Sequence, residues 1–508
     1  MGRFEVVIEG GSPGNTVSST RNFHRLIRLP AREIGVEGRL VGRIFHLSDS
    51  QLADCKSPAR YEWVNQFAGD PAWSELIPGY RPQEFLVAAA LTAMIRTINE
   101  TERVREGFEV AVFTGDAIDN AQVNEFSNFL AVFGGGSVCI ESGDRDRSYV
   151  YADGFADGLF WHPDPGAGSD IYKREFSFPS VEGLLEQAFD AFVSEGISIP
   201  WYFVNGNHEL LVQGVSPAVA ELDAIAKGSL KQVGPPKSME DPLGSALDRP
   251  AELFTSGTAR EVSLDARRRL IGRRDIADAL WSAPGVPQGH GVSQGSEILY
   301  YEAALSEEVV LVALDTAYAS GAASGAIAPE QARWLVRVLE SYSTAHWDEA
   351  GEPVAGTGID RLIVVSGHHP LHTMNNQRAL AEEYLGQDWL ARTLLRFPNV
   401  ILYLNGHTHQ HQVKLLRRGD GSGFYELTTG SIMDWPNQGR AIDIVRSKGQ
   451  LSLVCNPLDI DVPTDPDNSD GIQRLAAWHR LLAANAPVKL AQPMVRQVLN
   501  LPLPRWLI

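Results

Sequence analysis

Five short polar clusters contain the side chains of this sequence that are best suited to chemistry. Their Asp, Asn, Gln and His residues offer oxygen and imidazole nitrogen atoms to metal ions. In chain order the clusters are Asp49-Ser50-Gln51, Gly115-Asp116-Ala117-Ile118-Asp119-Asn120, Gly206-Asn207-His208-Glu209, Gly367-His368-His369-Pro370 and Gly406-His407-Thr408-His409. No single cluster could supply the ligands of a metal pair, but the five together could. The pattern therefore indicates a metal centre assembled from distant parts of the chain, and hydrolytic chemistry.

Apolar runs that are typical of buried strands precede the clusters. These runs cover residues 40–48, 108–114, 198–204, 361–366 and 399–404. The segments between them repeat apolar residues at helical spacing, and we expect helices at about 83–105, 121–133, 181–195, 329–343 and 383–397. Alternating strands and helices indicate an α/β fold, in which sites form beyond the carboxyl ends of the strands. Every cluster lies at such an end or just after it, so placement and chemistry agree.

Two long stretches interrupt this alternation. Residues 134–180 are rich in glycine, aspartate and aromatic residues, and residues 211–296 contain proline and glycine around an arginine-rich segment. Both are predicted to be insertions in a main domain at 36–455, and the second is expected to form a cap or subdomain. Further strands are expected near 411–417, 424–429, 440–446 and 451–455. An acidic linker and a C-terminal helical extension are predicted at 456–508.

The composition disfavours several classes of protein. The chain has 508 residues, 44% of them hydrophobic, and a net charge of −19. Such a charge repels polyanions, so long nucleic acid is disfavoured as a partner, and the arginine-rich stretch 260–274 is interpreted as a solvated helix face. We see no signal peptide and no apolar run long enough to span a membrane, and the three separated cysteines indicate reduced thiols. We therefore expect a cytoplasmic protein without a membrane partner. The oligomeric state stays open.

Together the five clusters resemble the signature of the calcineurin-like metallophosphoesterase superfamily, which includes purple acid phosphatases and many phosphodiesterases. That signature is D-x-H, G-D-x-x-D, G-N-H-[DE], a His in H-x-P, and G-H-x-H, in this order. Residues 40–430 match four of the five motifs outright. The resemblance implies a four-layer α/β/β/α sandwich, here with two long insertions, as the catalytic domain at 36–455. It also implies two divalent or mixed-valence metal ions as cofactors.

Carried over position by position, the resemblance assigns the metal ligands. The first ion would be held by Asp49, Gln51, Asp116 and His409, and the second by Asp116, Asn207, His368 and His407. The departure from the signature is Gln51, which stands where the common pattern has His. Gln51 either leaves the first site weakened or binds through its amide oxygen. We expect oxygen ligation, which favours Mn or Fe, with Zn and Co as further candidates.

The resemblance gives His208 a role without metal binding. It would contact the phosphate and protonate the leaving oxygen, and Asp119 or Glu209 would orient it. His369, next to a predicted ligand, is interpreted as a packing residue. The stretch 431–440 (SIMDWPNQGR) could line the pocket, but it carries no motif that decides this.

The reaction that the resemblance implies is hydrolysis of a phosphate mono- or diester, with a metal-activated water as the nucleophile. Small phosphate esters are the expected substrates. Spacing does not show how closely the insertions crowd the second phosphate substituent, so phosphatase and phosphodiesterase both stay open. The alternative function is a non-catalytic scaffold of the same fold that binds a partner through its insertions. Retention of His208 favours the enzyme, because a scaffold has no use for an acid–base histidine beside a metal ligand.

Overall fold

The apolar runs before the polar clusters form strands in two sheets. The computed structural model describes residues 36–144, 158–165, 170–418, 421–487, 494 and 496–502. The N-terminal segment, part of the predicted insertion 134–180 and the apolar C-terminal tail from residue 503 lie outside the described residues. Within the described residues, two six-stranded sheets combine parallel and antiparallel pairs. The predicted fold class, α/β, is confirmed.

The strands differ widely in length. They are β1 (Arg39–Leu47), β2 (Phe108–Phe113), β3 (Gly136–Val138), β4 (Phe192–Ser194), β5 (Trp201–Phe203), β6 (Leu211–Val212), β7 (Ser216–Pro217), β8 (Leu230–Gln232), β9 (Ala259–Glu261), β10 (Tyr301–Ala304), β11 (Val309–Ala313), β12 (Ala345–Trp347), β13 (Pro353–Ala355), β14 (Leu362–Ser366), β15 (Val400–Asn405), β16 (Gln412–Arg417), β17 (Gly423–Thr428), β18 (Gln438–Ser447), β19 (Gln450–Asp459) and β20 (Gln497–Pro502). The first sheet has the order β20-β19-β18-β1-β2-β5, and the second has the order β10-β11-β14-β15-β17-β16. The other strands form two-stranded pairs.

The helices connect these strands and cover them. They are α1 (Val87–Glu100), α2 (Val123–Gly134), α3 (Ile171–Phe176), α4 (Leu184–Phe189), α5 (Ala220–Lys227), α6 (Pro242–Asp248), α7 (Arg273–Ser282), α8 (Pro329–Ser341), α9 (Gln377–Ala381), α10 (Gln387–Leu395) and α11 (Gly471–Ala483). Short 3₁₀ turns occur at Glu62–Phe67, Pro71–Leu76, Glu84–Leu86, Pro250–Phe254, Ala266–Arg268, Gln288–Gly291, Leu371–Thr373 and Pro466–Asn468. Within the described residues, no helix is both long and apolar enough to cross a membrane.

The strands that end at the polar clusters are parallel neighbours within their sheets. β1, β2 and β5 are parallel in the first sheet, and β14, β15 and β17 are parallel in the second. β14 (LIVVS) and β15 (VILYLN) are buried along their whole length, as parallel strands that are covered on both faces are expected to be. Parallel neighbours present their carboxyl ends at one edge, so each sheet gathers its clusters there.

Alternate side chains of the second sheet pack into two different hydrophobic clusters. Leu311 and Val364 belong to a cluster that also contains Ile44 of the first sheet. Val312 and Val365, one position further along their strands, belong to a cluster with side chains of α8 and α10. The second sheet therefore buries one set of side chains with the first sheet and the other set with helices.

The C-terminal part of the chain continues the first sheet. β19 runs past the predicted boundary at residue 455, β20 pairs with β19, and α11 packs against α1. The predicted helix at 181–195 is shorter than expected. It is restricted to α4, because Gly183 has a left-handed backbone before it and Asp190 an extended one after it.

The insertion 211–296 has secondary structure of its own. It contains α5, α6 and α7 together with the short strands β6 to β9. The interpretation of 260–274 as a solvated helix face is wrong, because this stretch leaves β9, passes through a 3₁₀ turn and buries Arg268 before α7 begins. Side chains of α5 and α6 share a separate hydrophobic cluster with residues 59–77, which precede α1. The insertion is thus anchored to the segment between the first two polar clusters.

Burial of His479 in α11 predicts a loss of stability in acid. The ring is buried, neither nitrogen has a hydrogen-bond partner among the described residues, and burial lowers its pKa to about 3. An unfolded chain has a histidine pKa of about 6.5, so below that pH the unfolded state binds a proton that the folded state does not. The free energy of unfolding therefore falls as pH falls, by about 2 kcal/mol between pH 7 and pH 5.

Urea unfolding at pH 7 and pH 5 measures this loss. Between these pH values, the free energy of unfolding should fall by about 2 kcal/mol less in His479→Leu than in wild type. His372→Leu, which changes an exposed histidine whose pKa is also lowered, is the control and should keep most of the wild-type loss. Equal losses in wild type and His479→Leu would contradict the prediction.

Candidate metal centre

The predicted ligands meet where the cluster-bearing ends of the two sheets face each other. Asp49 and Asp116 follow β1 and β2 of the first sheet, and His368 follows β14 of the second. Ligand atoms of these three side chains all lie within 4.8 Å of one another. His407, after β15, donates its backbone N–H to both carboxylate oxygens of Asp49, at 3.2 and 3.0 Å. Residues that are far apart in sequence thus form one group of potential metal ligands.

Asp116 is the carboxylate that the two predicted ligand sets share. Its Oδ2 lies 3.1 Å from Nε2 of His368 and 3.8 Å from Nε2 of His208. Its Oδ1 accepts a hydrogen bond from the backbone N–H of His208 at 2.9 Å. Burial alone would raise the pKa of Asp116, but the charges of the two histidines outweigh it and lower this pKa far below its ordinary value. Asp116 is therefore an anion at neutral pH, as a bridging ligand must be.

Five of the seven predicted ligands have a left-handed backbone. Their φ angles are 53° for Asp49, 43° for Gln51, 53° for Asp116, 66° for His407 and 53° for His409. A residue with a Cβ is disfavoured there by about 1 kcal/mol or more, and such strain concentrates at functional sites. Backbone hydrogen bonds of 3.0 Å from Asp49 to Gly115 and 2.9 Å from Gln51 to Asp116 hold the turns. The chain is thus turned sharply just after β1, β2 and β15.

Two of the imidazoles are held by their Nδ1 atoms. Nδ1 of His368 donates to the backbone oxygen of Thr114 at 2.7 Å. Nδ1 of His409 lies 2.7 Å from Oδ2 of Asp434, and its Nε2 lies 3.4 Å from Oδ1 of Asp49. A proton held at Nδ1 leaves the Nε2 lone pair available to a metal ion.

Asp434 is a site residue that the sequence analysis left undecided. Besides His409, it contacts the side chains of Arg81 and Gln83, which donate to it at 3.1 and 3.2 Å. The available signal was its position after β17, the parallel neighbour of β15. The stretch around it carries no recognisable motif, so this placement alone could not decide its role.

Gln51 and Asn207 each have one engaged amide nitrogen and one unengaged amide oxygen. Nδ2 of Asn207 donates to the backbone oxygen of Gly214 at 2.9 Å, and Nε2 of Gln51 lies 3.1 Å from Nε2 of His208. Oε1 of Gln51 and Oδ1 of Asn207 are buried and have no hydrogen-bond partner among the described residues. An unpartnered buried amide oxygen is destabilising by about 1–3 kcal/mol. These two oxygens are the atoms that would bind metal ions, so the donor set fits the implied cofactor.

His208 lies beside the predicted ligands and is oriented by Asp119. Its Nδ1 lies 2.8 Å from the backbone oxygen and 3.4 Å from a carboxylate oxygen of Asp119. Its Nε2 faces Asp116 and Gln51. Burial would lower the pKa of His208, but Asp116 and Asp119 outweigh it and raise this pKa. A raised pKa keeps a proton available at neutral pH, which suits a general acid.

Glu209, the other candidate for orienting His208, instead binds backbone. It accepts hydrogen bonds from the N–H groups of Gly206 at 2.7 Å, Asp116 at 3.0 Å and Ala117 at 2.5 Å. Burial and the charge of Asp116 raise its pKa to about 7. Glu209 therefore fixes the turns that follow β2 and β5.

His369 is engaged through both ring nitrogens. Its ligand atoms lie near those of His368 and His407. However, Nδ1 is 2.7 Å from Oγ1 of Thr316 and Nε2 is 2.8 Å from the backbone oxygen of Ala323. Burial lowers its pKa to about 3. The hydrogen bonds assign His369 to packing rather than to metal binding.

The electrostatic field of the group attracts positive charge. Burial would lower the pKa of His368 and of His409, yet carboxylates raise both to about 9, chiefly Asp116 for His368 and Asp49 with Asp434 for His409. A metal ion held among these groups would compensate the same negative charge and displace the protons.

No protein-family model matches the sequence, and no curated protein matches it significantly. Among solved structures, the chain is similar to a dimetal phosphatase from Danio rerio, with a TM-score of 0.35 and 13% sequence identity. The match covers 83% of this chain and 100% of that chain. A superposition of this quality does not establish a common fold, so we infer the function from the residues of the site.

Gly214 offers a test of the geometry around Asn207. A Cβ at this position would overlap Nε2 of His208 and lie 2.7 Å from Nδ2 of Asn207, so Gly214→Ala should displace both side chains. We expect metal affinity to fall at least tenfold, the lower end of the effect of disturbing groups that support metal ligands. Isothermal titration with Mn would measure it.

Gly183→Ala is the matched control. Gly183 has nearly the same φ, 72° against 71°, but a Cβ there meets nothing within 4 Å. Both substitutions place a Cβ on a left-handed backbone, which destabilises the fold by about 1–2 kcal/mol, so Gly183→Ala reports this backbone effect alone. Equal metal affinity in the two variants would contradict the placement of Asn207.

Proposed function

We propose that this chain hydrolyses small phosphate esters, mono- or diesters, at a centre of two metal ions. One ion would be held by Asp49, Gln51, Asp116 and His409, and the other by Asp116, Asn207, His368 and His407. His208 would be the general acid.

The two unengaged amide oxygens carry this proposal. Gln51 and Asn207 contribute oxygens that are buried and without hydrogen-bond partners among the described residues. Both flank His208, whose backbone N–H is bonded to Asp116. A cation would satisfy both oxygens, because amide oxygens bind hard and borderline metal ions. A purely structural site has no need of such oxygens beside a buried anion.

Residues of this chain would protonate the leaving group. When bound, the two ions would supply Lewis acidity and an activated water. Asp119 holds Nδ1 of His208, which leaves Nε2 as the atom that transfers a proton. Donation from Nε2 to the leaving oxygen prevents negative charge from building up on that oxygen.

The fold that we propose with this function is the four-layer α/β/β/α sandwich of metallophosphoesterases. The second sheet shares one hydrophobic cluster with the first sheet and another with α8 and α10. α1 and α11 pack together beside the first sheet and belong to the cluster of that sheet. Layers of helix, sheet, sheet and helix account for this distribution of buried side chains.

The metal preference is expected to follow from Gln51. An amide oxygen in place of an imidazole gives the first site more oxygen ligands, which favours Mn or Fe over Zn, while Co remains compatible. Metal analysis of protein purified without chelators should therefore find Mn or Fe. One tightly bound zinc ion and no other metal would contradict this expectation.

Hydrolysis of p-nitrophenyl phosphate and bis-p-nitrophenyl phosphate, measured side by side, tests the activity. Protein that has been stripped of metal and reloaded with Mn, Fe, Zn, Co or Mg should show metal-dependent turnover. Asp116→Asn should lose both metal and turnover. His208→Asn should keep both ions, while kcat falls about 10²–10⁴-fold, as expected for loss of a general acid.

His372→Asn, in an exposed histidine, is the matched control and should behave as wild type. The preferred ester would assign the subclass. Folded wild type that holds two ions and hydrolyses neither ester would contradict the proposal and favour the scaffold function instead.

A further inference from the structure

Residues 52–86, which follow the first polar cluster, contain two arginines. Each is separated from a histidine of the candidate metal centre by one aspartate. The segment consists mainly of loops and short 3₁₀ turns, and the proposed function assigns it no role. Arg60 and Arg81 both lie on this segment, and both side chains are almost fully buried. Each arginine contacts a carboxylate that orients a histidine of the centre.

Arg60 lies behind His208. Its Nη1 forms an ion pair with Oδ2 of Asp119, whose backbone oxygen lies 2.8 Å and whose Oδ1 lies 3.4 Å from Nδ1 of His208. Its Nε and Nη2 donate to Glu62 and Glu84, each at 2.9 Å. Three carboxylates thus fix the guanidinium, which in turn fixes Asp119.

Arg81 lies behind His409 in the same way. Its Nε donates at 3.1 Å to Oδ2 of Asp434, the oxygen that lies 2.7 Å from Nδ1 of His409. Glu84 joins the two arginines, because its Oε2 accepts from Nη2 of Arg60 at 2.9 Å and from the backbone N–H of Arg81 at 3.1 Å. One polar network therefore runs from His208 to His409 through this segment.

We propose that Arg60 and Arg81 are positioning residues of the centre, with Arg60 holding Asp119 against His208 and Arg81 holding Asp434 against His409. This inference rests on the proposed function. A buried carboxylate that loses its guanidinium donor is no longer fixed in direction, so its contact with the imidazole is disturbed.

The two arginines should therefore have different effects. Arg60 acts on a histidine that binds no metal, so its loss should slow proton transfer and leave the ions in place. Arg81 acts on a metal ligand, so its loss should weaken metal binding. A merely structural role would produce the same defect at both positions.

Isothermal titration with Mn and steady-state hydrolysis of the preferred p-nitrophenyl ester separate these effects. Arg81→Gln should weaken binding of one ion 10–100-fold, the usual effect of losing a group that supports a metal ligand, and excess metal should restore turnover. Arg60→Lys, which keeps the charge but not the three-way donor geometry, should bind both ions within twofold of wild type. Its kcat should fall at least tenfold, with little change in KM and no recovery in excess metal.

¹⁵N-histidine NMR of the zinc-loaded full-length protein gives a readout that does not depend on turnover. The His208 signal, assigned by its loss in His208→Asn, should show a proton at Nδ1 in wild type and in Arg81→Gln. In Arg60→Lys this signal should shift or broaden.

Arg268→Gln is the matched control. Arg268 is fully buried and donates to Asp54 at 3.0 Å, away from the histidines. Its substitution should lower the melting temperature but change neither metal affinity nor kcat. Folded Arg60→Lys with wild-type kcat and an unchanged His208 signal, or Arg81→Gln with wild-type metal affinity, would overturn the proposal. If wild type binds two ions but hydrolyses no ester, the proposed function fails, and metal affinity together with the His208 signal still tests the two arginines.

Discussion

Two carboxylates, those of Asp49 and Asp116, are buried at the junction of the two sheets and constrain everything around them. An ionised carboxylate is strongly destabilising away from water unless opposite charge or hydrogen bonds compensate it. The compensation comes from across the junction. Asp49 accepts the backbone N–H of His407, and Asp116 faces Nε2 of His368. Each sheet therefore depends on the other, because the first supplies the anions and the second supplies the donors.

The junction is held by more than the ligands themselves. Just below it, His46 of β1 contacts Oγ1 of Thr114 at 3.0 Å, and its other ring nitrogen contacts Oγ1 of Thr429, beyond β17, at 2.7 Å. Thr114 also accepts from His368 through its backbone oxygen. The bonds of His46 to Thr429 and of His368 to Thr114 cross between the sheets, so they fasten the two sheets together below the predicted ligands. The left-handed turns that follow these strands are strained, and they persist because the surrounding hydrogen bonds hold the backbone in place.

The parts of the structure that could be predicted from the sequence are those in which an apolar run ends at a polar cluster. β14 and β15 have this form, and His368 and His407 follow them directly. Residues 52–86 could not be interpreted in this way, since their short 3₁₀ turns have no regular hydrophobic period. Arg60 contacts Asp119, and Arg81 contacts Asp434. These carboxylates are distant in sequence from the arginines, so no local sequence pattern predicts the contacts. The same applies to β20, whose pairing with β19 spans the helix α11.

The two amides that we propose as ligands, Gln51 and Asn207, differ in a way that a motif cannot express. The nitrogen of Asn207 is tied to the backbone of Gly214, a fixed partner, so its oxygen has a fixed direction. The nitrogen of Gln51 lies instead against Nε2 of His208, the atom expected to exchange a proton with the substrate. An amide is rigid and planar, so a shift of its nitrogen carries its oxygen along. The oxygen of Gln51 is therefore directed by a neighbouring side chain, and that of Asn207 by the backbone. Gln51, which departs from the signature that the other clusters resemble, is thus the amide whose nitrogen adjoins the ring of His208, the proposed general acid.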